Sequence, residues 1–125
     1  MIEDDRASEL LGMRVLVDEP GRSVVSMTVR DDMVNGHGIA HGGFVFALAD
    51  TAFAVACNNT DDVTVAAGAE ITYLQPVRSG EALTATAERR VEFGRSGIYD
   101  VRVQTEGGVT VAEFRGHSRT LRHTE

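Results

Sequence analysis

The sequence predicts an α+β fold in which one long buried helix lies across an antiparallel sheet of five to six strands. Three observations predict it. Residues 42–58 are apolar on nearly every helical face, the flanking segments alternate between apolar and polar residues, and turns containing glycine or proline separate those segments. The chain has 125 residues, which is the size of one domain, so we expect a single domain spanning residues 1–125.

The segment before the long helix predicts a short helix followed by a β-hairpin. Residues 5–11 have a helical pattern that Gly12 ends, and residues 13–17 form a first strand. Glu19–Arg22 carries proline and glycine at its two central positions, which is the signature of a type II turn. The next strand alternates polar residues with three apolar ones that we expect to face the core: Val25, Met27 and Val29.

The segment Gly42–Asn58 predicts the long helix. It is too short to span a membrane, which takes about 20 apolar residues. A helix that is apolar on all sides is normally buried. Asp50 is the only charged residue between His41 and Asn59.

The remaining residues predict a meander of long antiparallel strands. We expect strands at 69–75, 81–93 and 109–121, with another strand centred on the alternating residues 99–104. Residues 94–97 predict a hairpin loop, and Gly107–Gly108 predicts a two-residue hairpin turn. In the strand 81–93, Arg89 interrupts an apolar face that we expect to be shared by Leu83, Ala85, Ala87, Val91 and Phe93. One helix cannot cover every edge of such a sheet, so we expect a dimer formed by pairing of edges.

Charge and cysteine content narrow the function. The formal net charge of −7 argues against binding of nucleic acid or of an acidic membrane surface by bulk electrostatics. A small polyanion remains possible where cations gather, and Arg89 and Arg95 with the loop amides of Ser96 and Gly97 offer such a place. Exposed arginines on strands are, however, commonly only solubilising. The single cysteine, Cys57, and the acidic start at residues 1–5 indicate neither a disulfide framework nor a signal peptide, so we expect a cytoplasmic protein.

Asp50 is the strongest anomaly in the sequence. Burial of an ionised carboxylate without partners is costly, so Asp50 must be paired, protonated, or exposed at a cavity or subunit interface. Costly buried charges accumulate at functional sites. An interfacial aspartate that caps a backbone amide is the alternative interpretation.

Gly42 and Gly43 lie where the helix begins. The first amides of a helix have no intrahelical acceptor, and glycine lets a ligand oxygen approach them closely, which is the description of an oxyanion hole. An ordinary turn is the alternative. Gly42 and Asp50 are separated by roughly 12 Å along the helix axis, which is too far for both to contact one carbonyl. A site that combines them therefore takes one residue from each subunit of a dimer.

The loop before the helix presents an amide and two imidazoles, from Asn35, His37 and His41. A metal site is one alternative, since His117 and His123 are also present. No acidic or thiolate ligand is nearby and a glycine-rich loop would not hold His37 and His41 in helical register, so we expect no metal. Capping or packing is the plain alternative for His41.

Several motifs together resemble the signature of hotdog-fold thioesterases, and most of all the PaaI branch, the phenylacetate-pathway thioesterases. The resemblance runs through nearly the whole chain. The matching stretches are Asn35-Gly36-His37, His41-Gly42-Gly43, Leu48 to Ala54, Ile71 to Pro76, Gly80 to Ala85, Gly97 to Asp100 and Phe114-Arg115-Gly116.

The resemblance implies a helix wrapped by an antiparallel sheet, a homodimer that assembles into a homotetramer, and active sites at the dimer interface. It implies that the Gly42 amide polarises a thioester carbonyl and that Asp50 of the other subunit is the nucleophile or general base. Asn35 and His41 would orient the carboxylate, water or thioester. Many relatives have a hydroxyl residue early in the strand after the helix, where this chain has Ala66–Ala69 and where Thr64 is the nearest hydroxyl.

The resemblance also implies the substrate, an aryl or medium-chain acyl-CoA such as hydroxyphenylacetyl-CoA, with no cofactor beyond the coenzyme A of the substrate itself. Phe53 and Tyr73 would line the acyl pocket, and Gly43, Thr51 and Gly68 would also contact the substrate or its CoA portion. A hotdog enoyl-CoA hydratase or dehydratase and a non-catalytic acyl-CoA-binding protein are the alternatives.

Overall fold

The helices and strands follow the expected order. A computed structural model describes residues 5–58 and 62–121. The helices are α1 (Arg6–Leu10) and α2 (Gly42–Cys57), with a short 3-10 turn at Asp31–Met33. The strands are β1 (Arg14–Glu19), β2 (Arg22–Thr28), β3 (Thr64–Tyr73), β4 (Ala82–Phe93), β5 (Ser96–Thr105) and β6 (Thr110–Thr120). Residues 1–4, the start of the acidic segment, and His123 lie outside the described residues.

All six strands form one antiparallel sheet in the order β1-β2-β4-β5-β6-β3. The predicted fold class, one main helix with an antiparallel sheet of five to six strands, is confirmed. The predicted meander is only partly right, because β3 pairs with β6 and not with β4, its neighbour in sequence. Strand β3 therefore lies at one edge of the sheet, with the β1–β2 hairpin at the other.

Helix α2 packs across the inner face of the sheet. Phe53 of α2 is 1% exposed, and its ring lies 5.5 Å from the ring of Tyr99 and 5.9 Å from that of Phe114. The Ser23 hydroxyl of β2 donates a hydrogen bond to the carbonyl of Ala52. Inward residues of the central strands complete the core, as predicted for Val25, Met27, Leu83, Ala85 and Ala87.

One side of α2 is not fully covered by the described residues of its own chain. Gly43 is exposed, and Ala47, Asp50 and Ala54 are half-buried. Their spacing of three or four residues places them on one helix face. In the described part of the chain, no helix combines the length and apolar character needed to cross a bilayer.

The first two turns form as predicted. Asp5 caps α1, which Gly12 follows with a positive φ of 71°. Gly21 has a φ of 74°, as the third position of a type II turn requires. The turn pairs Glu19 with Arg22, so β1 and β2 form the expected hairpin.

The predicted inner face of β4 is wrong in its second half. Val91 and Phe93 are 49% and 86% exposed. The register between β4 and β5 shifts between Arg89 and Val91, so that Arg89 pairs with Tyr99 and Val91 with Ile98. One extra residue in a strand turns every later side chain to the opposite face, which takes Val91 and Phe93 out of the core.

Three predicted boundaries also move. Strand β3 begins at Thr64, five residues before the predicted start, because its ladder with β6 extends that far. The β5–β6 connection spans residues 106–109 and is not a two-residue turn at Gly107–Gly108, because Thr105 donates its backbone amide to the Val109 carbonyl. The predicted loop 94–97 shortens to two residues, since Phe93 pairs with Ser96.

Gly116 provides a test of how tightly α2 is packed. A Cβ atom at this position would lie 2.7 Å from three carbons of the buried Phe53 ring. We expect Gly116→Ala to lower the free energy of unfolding by about 1–3 kcal/mol, the usual cost of overpacking a core. Urea unfolding measures it. Gly107→Ala is the matched control, because the nearest atom to its Cβ would be 3.9 Å away; an equal loss in both variants would contradict this packing.

Candidate active site

The N-terminus of α2 is open. His41 is the N-cap residue, and its side chain makes no capping hydrogen bond. The first amides of the helix, including those of Gly42 and Gly43, therefore remain available to an acceptor outside the helix. The loop before them is held by backbone hydrogen bonds from Ala40 to Val77 at 2.7 Å and from His41 to Met33 at 2.8 Å.

Asn35 builds the loop that leads into α2. Its Oδ1 accepts hydrogen bonds from the backbone amides of His37 at 2.9 Å and Ile39 at 3.3 Å. Its own backbone amide donates to the Ile39 carbonyl at 2.8 Å. Among the described residues its side-chain nitrogen has no partner, so this nitrogen is the group that it can offer to a ligand.

An apolar groove of about 430 Å³ opens beside Gly42. Its walls come from the loop, from α2 and from the end of β3, and include Ile39, Gly42, Val45, Tyr73, Pro76, Val77 and Val111. The Tyr73 hydroxyl donates a hydrogen bond of 2.8 Å to the Gly42 carbonyl. A Cβ atom on Gly42 would lie 2.8 Å from Cζ of Tyr73, so this contact requires glycine.

Asp50 is half-buried on the uncovered face of α2. Within the described residues it has no hydrogen bond and no ion pair. Burial raises the pKa of the Asp50 carboxyl above its ordinary value, and the negative charge of Asp5 raises it further. A carboxylate of this kind is costly to the fold and well suited to accept a proton.

Helix α1 brings a second polar group to this region, which the sequence analysis missed. The Ser8 hydroxyl lies 2.8 Å from Oδ2 of Asp5 and 3.4 Å from Oγ1 of Thr51, the neighbour of Asp50. Asp5 followed three residues later by Ser8 is recognisable as a cap, but the local pattern could not show where that cap would dock.

Comparisons with known proteins agree with this geometry. Residues 37–112 match the family model of the thioesterase superfamily. The chain is 42% identical over 121 residues to acyl-coenzyme A thioesterase PaaI of Escherichia coli (strain K12), covering 97% of this chain and 86% of that protein. The chain belongs to the thioesterase superfamily. The predicted family and the class of enzyme, a thioester hydrolase, are thereby confirmed.

Solved structures of relatives within the superfamily match the fold over nearly the whole chain. The structure of E. coli PaaI, from the phenylacetic acid degradation operon, has a TM-score of 0.95 at 42% identity and covers 98% of this chain and 88% of that one. A mutant of the phenylacetic acid degradation protein PaaI from Thermus thermophilus has a TM-score of 0.89 at 41% identity, covering 94% of this chain and 100% of that one.

Some residues that the resemblance to thioesterases singled out lie apart from the groove. Phe53 does not line it, because the ring is enclosed in the core; its predicted contact with an acyl group stays a prediction. Gly68 is exposed on the edge strand β3, where the pairing with β6 shifts register between Ala66 and Gly68. Thr64 is buried at the other end of β3 from Tyr73, with its hydroxyl 3.0 Å from that of Thr120.

Three of the residues predicted to bind the substrate or its CoA portion, Arg89, Arg95 and Ser96, line one cavity beyond the C-terminal end of α2. The cavity has a volume of about 330 Å³ and is also lined by Cys57 and by the acidic Asp62 and Glu92. Arg89 forms an ion pair of 3.4 Å with Glu92. Gly97 is buried, and a Cβ there would lie 2.7 Å from the Ser118 hydroxyl. In one chain this cluster lies at the opposite end of α2 from Gly42.

The two histidines of the loop do not belong to a group of three or more potential metal ligands in the part of the chain that the structure describes. Both His37 and His41 are exposed, and within residues 5–58 and 62–121 no three histidine, cysteine or acidic side chains are grouped to hold an ion.

The raised pKa of Asp50 predicts a stability effect with a defined dependence on pH. Because the folded state binds this proton more tightly than the unfolded state, ionised Asp50 opposes folding at neutral pH. The loss of folding free energy caused by ionised Asp50 is complete at pH values above the raised pKa of the folded state. It disappears at pH values below the ordinary pKa of the unfolded state. We expect Asp50→Asn to increase the free energy of unfolding near neutral pH and to lose that advantage below about pH 4. Urea unfolding at a fixed protein concentration measures both.

Asp32→Asn is the control, because the pKa of Asp32 is shifted in the direction opposite to that of Asp50. Asp32 is exposed and forms an ion pair of 3.0 Å with Arg30, which lowers the pKa of its carboxyl. This variant should be no more stable than the parent protein near neutral pH. A stabilisation by Asp32→Asn equal to that by Asp50→Asn would contradict the assignment.

Proposed function

We propose that this thioesterase hydrolyses acyl-CoA to a free acid and coenzyme A, at sites that each combine Gly42 of one copy with Asp50 of another. The observation that carries the proposal is the open N-terminus of α2, where the Gly42 amide borders an apolar groove and where a side chain in place of the glycine hydrogen would have to displace the Tyr73 ring. The 42% identity to an acyl-CoA thioesterase gives the reaction that such a site would serve.

In the proposed reaction the thioester carbonyl accepts a hydrogen bond from the Gly42 amide. That bond strengthens as negative charge develops on the oxygen, so it stabilises the transition state more than the ground state. Asp50 then either attacks the carbonyl carbon, which expels the CoA thiolate and leaves an acyl-aspartyl anhydride for water to hydrolyse, or removes a proton from a water that attacks the carbon and displaces the CoA thiolate. In both routes the thiolate takes up a proton and leaves as CoA. The free amide nitrogen of Asn35 and the exposed imidazole of His41 lie in the loop that leads to Gly42, and in the proposed reaction they would orient the substrate or the water.

The geometry of α2 supports the proposal that the site takes residues from two copies of the chain. Eight residues separate Gly42 from Asp50, and roughly 12 Å of helix cannot be closed around one carbonyl. Strand β3 is an exposed, ten-residue sheet edge, and the uncovered face of α2 carries Asp50. Pairing of two β3 edges would continue the sheet and cover unpaired strand groups. We propose a homodimer of this kind, with two dimers forming a tetramer.

The groove favours an acyl chain that is apolar and compact. Its volume of about 430 Å³ and its mainly apolar walls suit an aryl or medium acyl group, with Tyr73 against the ring or chain. Hydroxyphenylacetyl-CoA is the substrate that we propose to test first. Arg89, Arg95, Ser96 and Gly97 would receive the CoA portion. We propose that the enzyme works in the cytoplasm with no cofactor apart from the CoA carried by its substrate.

Asp50→Ala should abolish CoA release while the oligomer persists. Loss of a general base or nucleophile lowers kcat by about 10²–10⁴-fold. A thiol-release assay over a panel of acyl-CoAs, with size-exclusion chromatography, measures both properties. Asp32→Ala removes an exposed carboxylate and should retain parental turnover. Parental turnover in Asp50→Ala would refute the role of Asp50, and hydration of crotonyl-CoA without thiol release would refute hydrolysis.

Mixing two inactive variants tests whether the site is shared. Gly42→Val blocks the groove against Tyr73, and Asp50→Ala lacks the carboxylate, so each homodimer should be inactive. A hybrid dimer has one intact site and one doubly altered site. Random reassortment of equal amounts should therefore restore about a quarter of the parental activity. Thiol release after co-refolding measures it, and the absence of recovery in mixtures that contain hybrids would show that the site lies within one chain.

A further inference from the structure

The polar contact between α1 and α2 has no part in the chemistry described so far. Asp5 caps α1 by accepting from the Ser8 amide at 3.0 Å, and its other oxygen lies 2.8 Å from the Ser8 hydroxyl. That hydroxyl lies 3.4 Å from Oγ1 of Thr51. Ser8 is only 4% exposed, so the contact is enclosed between the two helices.

These contacts hold a charged carboxylate in place beside the helix face that carries Asp50. The Asp5 carboxylate contacts the Ser8 hydroxyl, which in turn contacts the hydroxyl of Thr51, the residue that follows Asp50. Its pKa is lowered by the backbone and side-chain hydrogen bonds from Ser8, so it stays ionised where other carboxylates begin to protonate. Asp5 thus presents a fixed negative charge to Asp50.

Among the described residues, the other groups around Asp50 do not supply a competing charge. Cys57 lies on the same helix. Burial raises the pKa of its thiol to about 11, the negative charge of Asp50 acts in the same direction, and the thiol is therefore neutral. The central strands turn mainly apolar residues toward α2, such as Val25 on β2, Ala85 on β4, Val101 on β5 and Phe114 on β6. Tyr99 of β5 also faces α2, and burial raises the pKa of its phenol, so it too is neutral.

We propose that Asp5, held by Ser8, which itself contacts Thr51, is a positioning residue whose fixed negative charge adds to the effect of burial and keeps Asp50 basic enough to act as the nucleophile or general base. This role presupposes the proposed function of Asp50. It assigns to the short helix α1 an effect on the reaction in addition to its packing. Two like charges at short range disfavour ionisation of the partly buried one, and a more basic carboxylate accepts a proton more readily.

Asp5→Asn removes the charge and retains the cap, because asparagine caps helices as well as aspartate does. The acid limb of the kcat/KM profile should move to lower pH, and on that limb kcat/KM should rise by about two- to threefold, as expected from loss of one partly screened like charge. Glu9→Gln is the matched control, since Glu9 is an exposed acid of the same helix. Its profile should follow that of the parent.

Asp5→Glu separates charge from anchoring. This variant keeps the negative charge, so the acid limb of its kcat/KM profile should coincide with that of the parent protein even if the longer side chain weakens the cap. If Asp5→Glu moved the limb as far as Asp5→Asn, anchoring of α1 and not its charge would be responsible, and the proposal would be wrong. The proposal would also be wrong if the acid limb of the kcat/KM profile of Asp5→Asn coincided with that of Glu9→Gln.

A direct titration makes the result independent of the proposed activity. Carboxyl ¹³C shifts of aspartate-labelled protein, with the Asp50 signal identified by its loss in Asp50→Asn, report its ionisation without substrate. The midpoint of the Asp50 titration should move to lower pH in Asp5→Asn and stay at the parental value in Glu9→Gln. The difference between the midpoints of Asp5→Asn and the parent protein should shrink in high salt. An unchanged midpoint refutes the role of Asp5, whereas a parent protein that hydrolyses no acyl-CoA refutes the proposed function alone.

Discussion

The burial of helix α2 is the constraint on which the rest of the structure depends. A helix that is apolar on nearly every side must be covered on nearly every side. The sheet covers one side, through side chains such as Tyr99 and Phe114 packed on Phe53. Gly116 leaves room for that ring. The face with Gly43, Ala47, Asp50 and Ala54 is left partly open, and this open face, beside the free β3 edge, is the reason to expect a second copy.

The same helix carries both groups on which the proposed chemistry depends, and each is unfavourable to the fold. The first amides of α2 have no side-chain cap, and Asp50 is half-buried without a partner in the described chain. A chain optimised for stability alone would have a side-chain cap for the first amides of α2 and a neutral residue in place of Asp50. A substrate oxygen and a transferred proton can supply what the fold leaves unsatisfied, which is how active sites commonly trade stability for activity.

The groups of the proposed site are distributed along α2 and are not gathered at one point. The apolar groove lies at its start, Asp50 at its middle and the cavity with Arg89 and Arg95 beyond its end. Helix α1 adds Asp5 and Ser8 beside the middle of α2. One chain therefore holds the parts of the proposed site in an order along the helix axis, and in the proposed dimer a second copy would bring Gly42 and Asp50 together.

The sequence by itself determined what local patterns encode: the α+β class, the bounds of α2 to within one residue at its C-terminal end, and the β1–β2 turn. The motif around Gly42 and Asp50 also indicated the family. Only the tertiary structure decided where β3 pairs, which way Val91 and Phe93 face, that Phe53 is enclosed in the core, and that α1 docks beside Asp50. Those features depend on partners distant in sequence. A single bulge after Arg89 reverses the faces of β4, and no periodicity within one strand records the register of its neighbour.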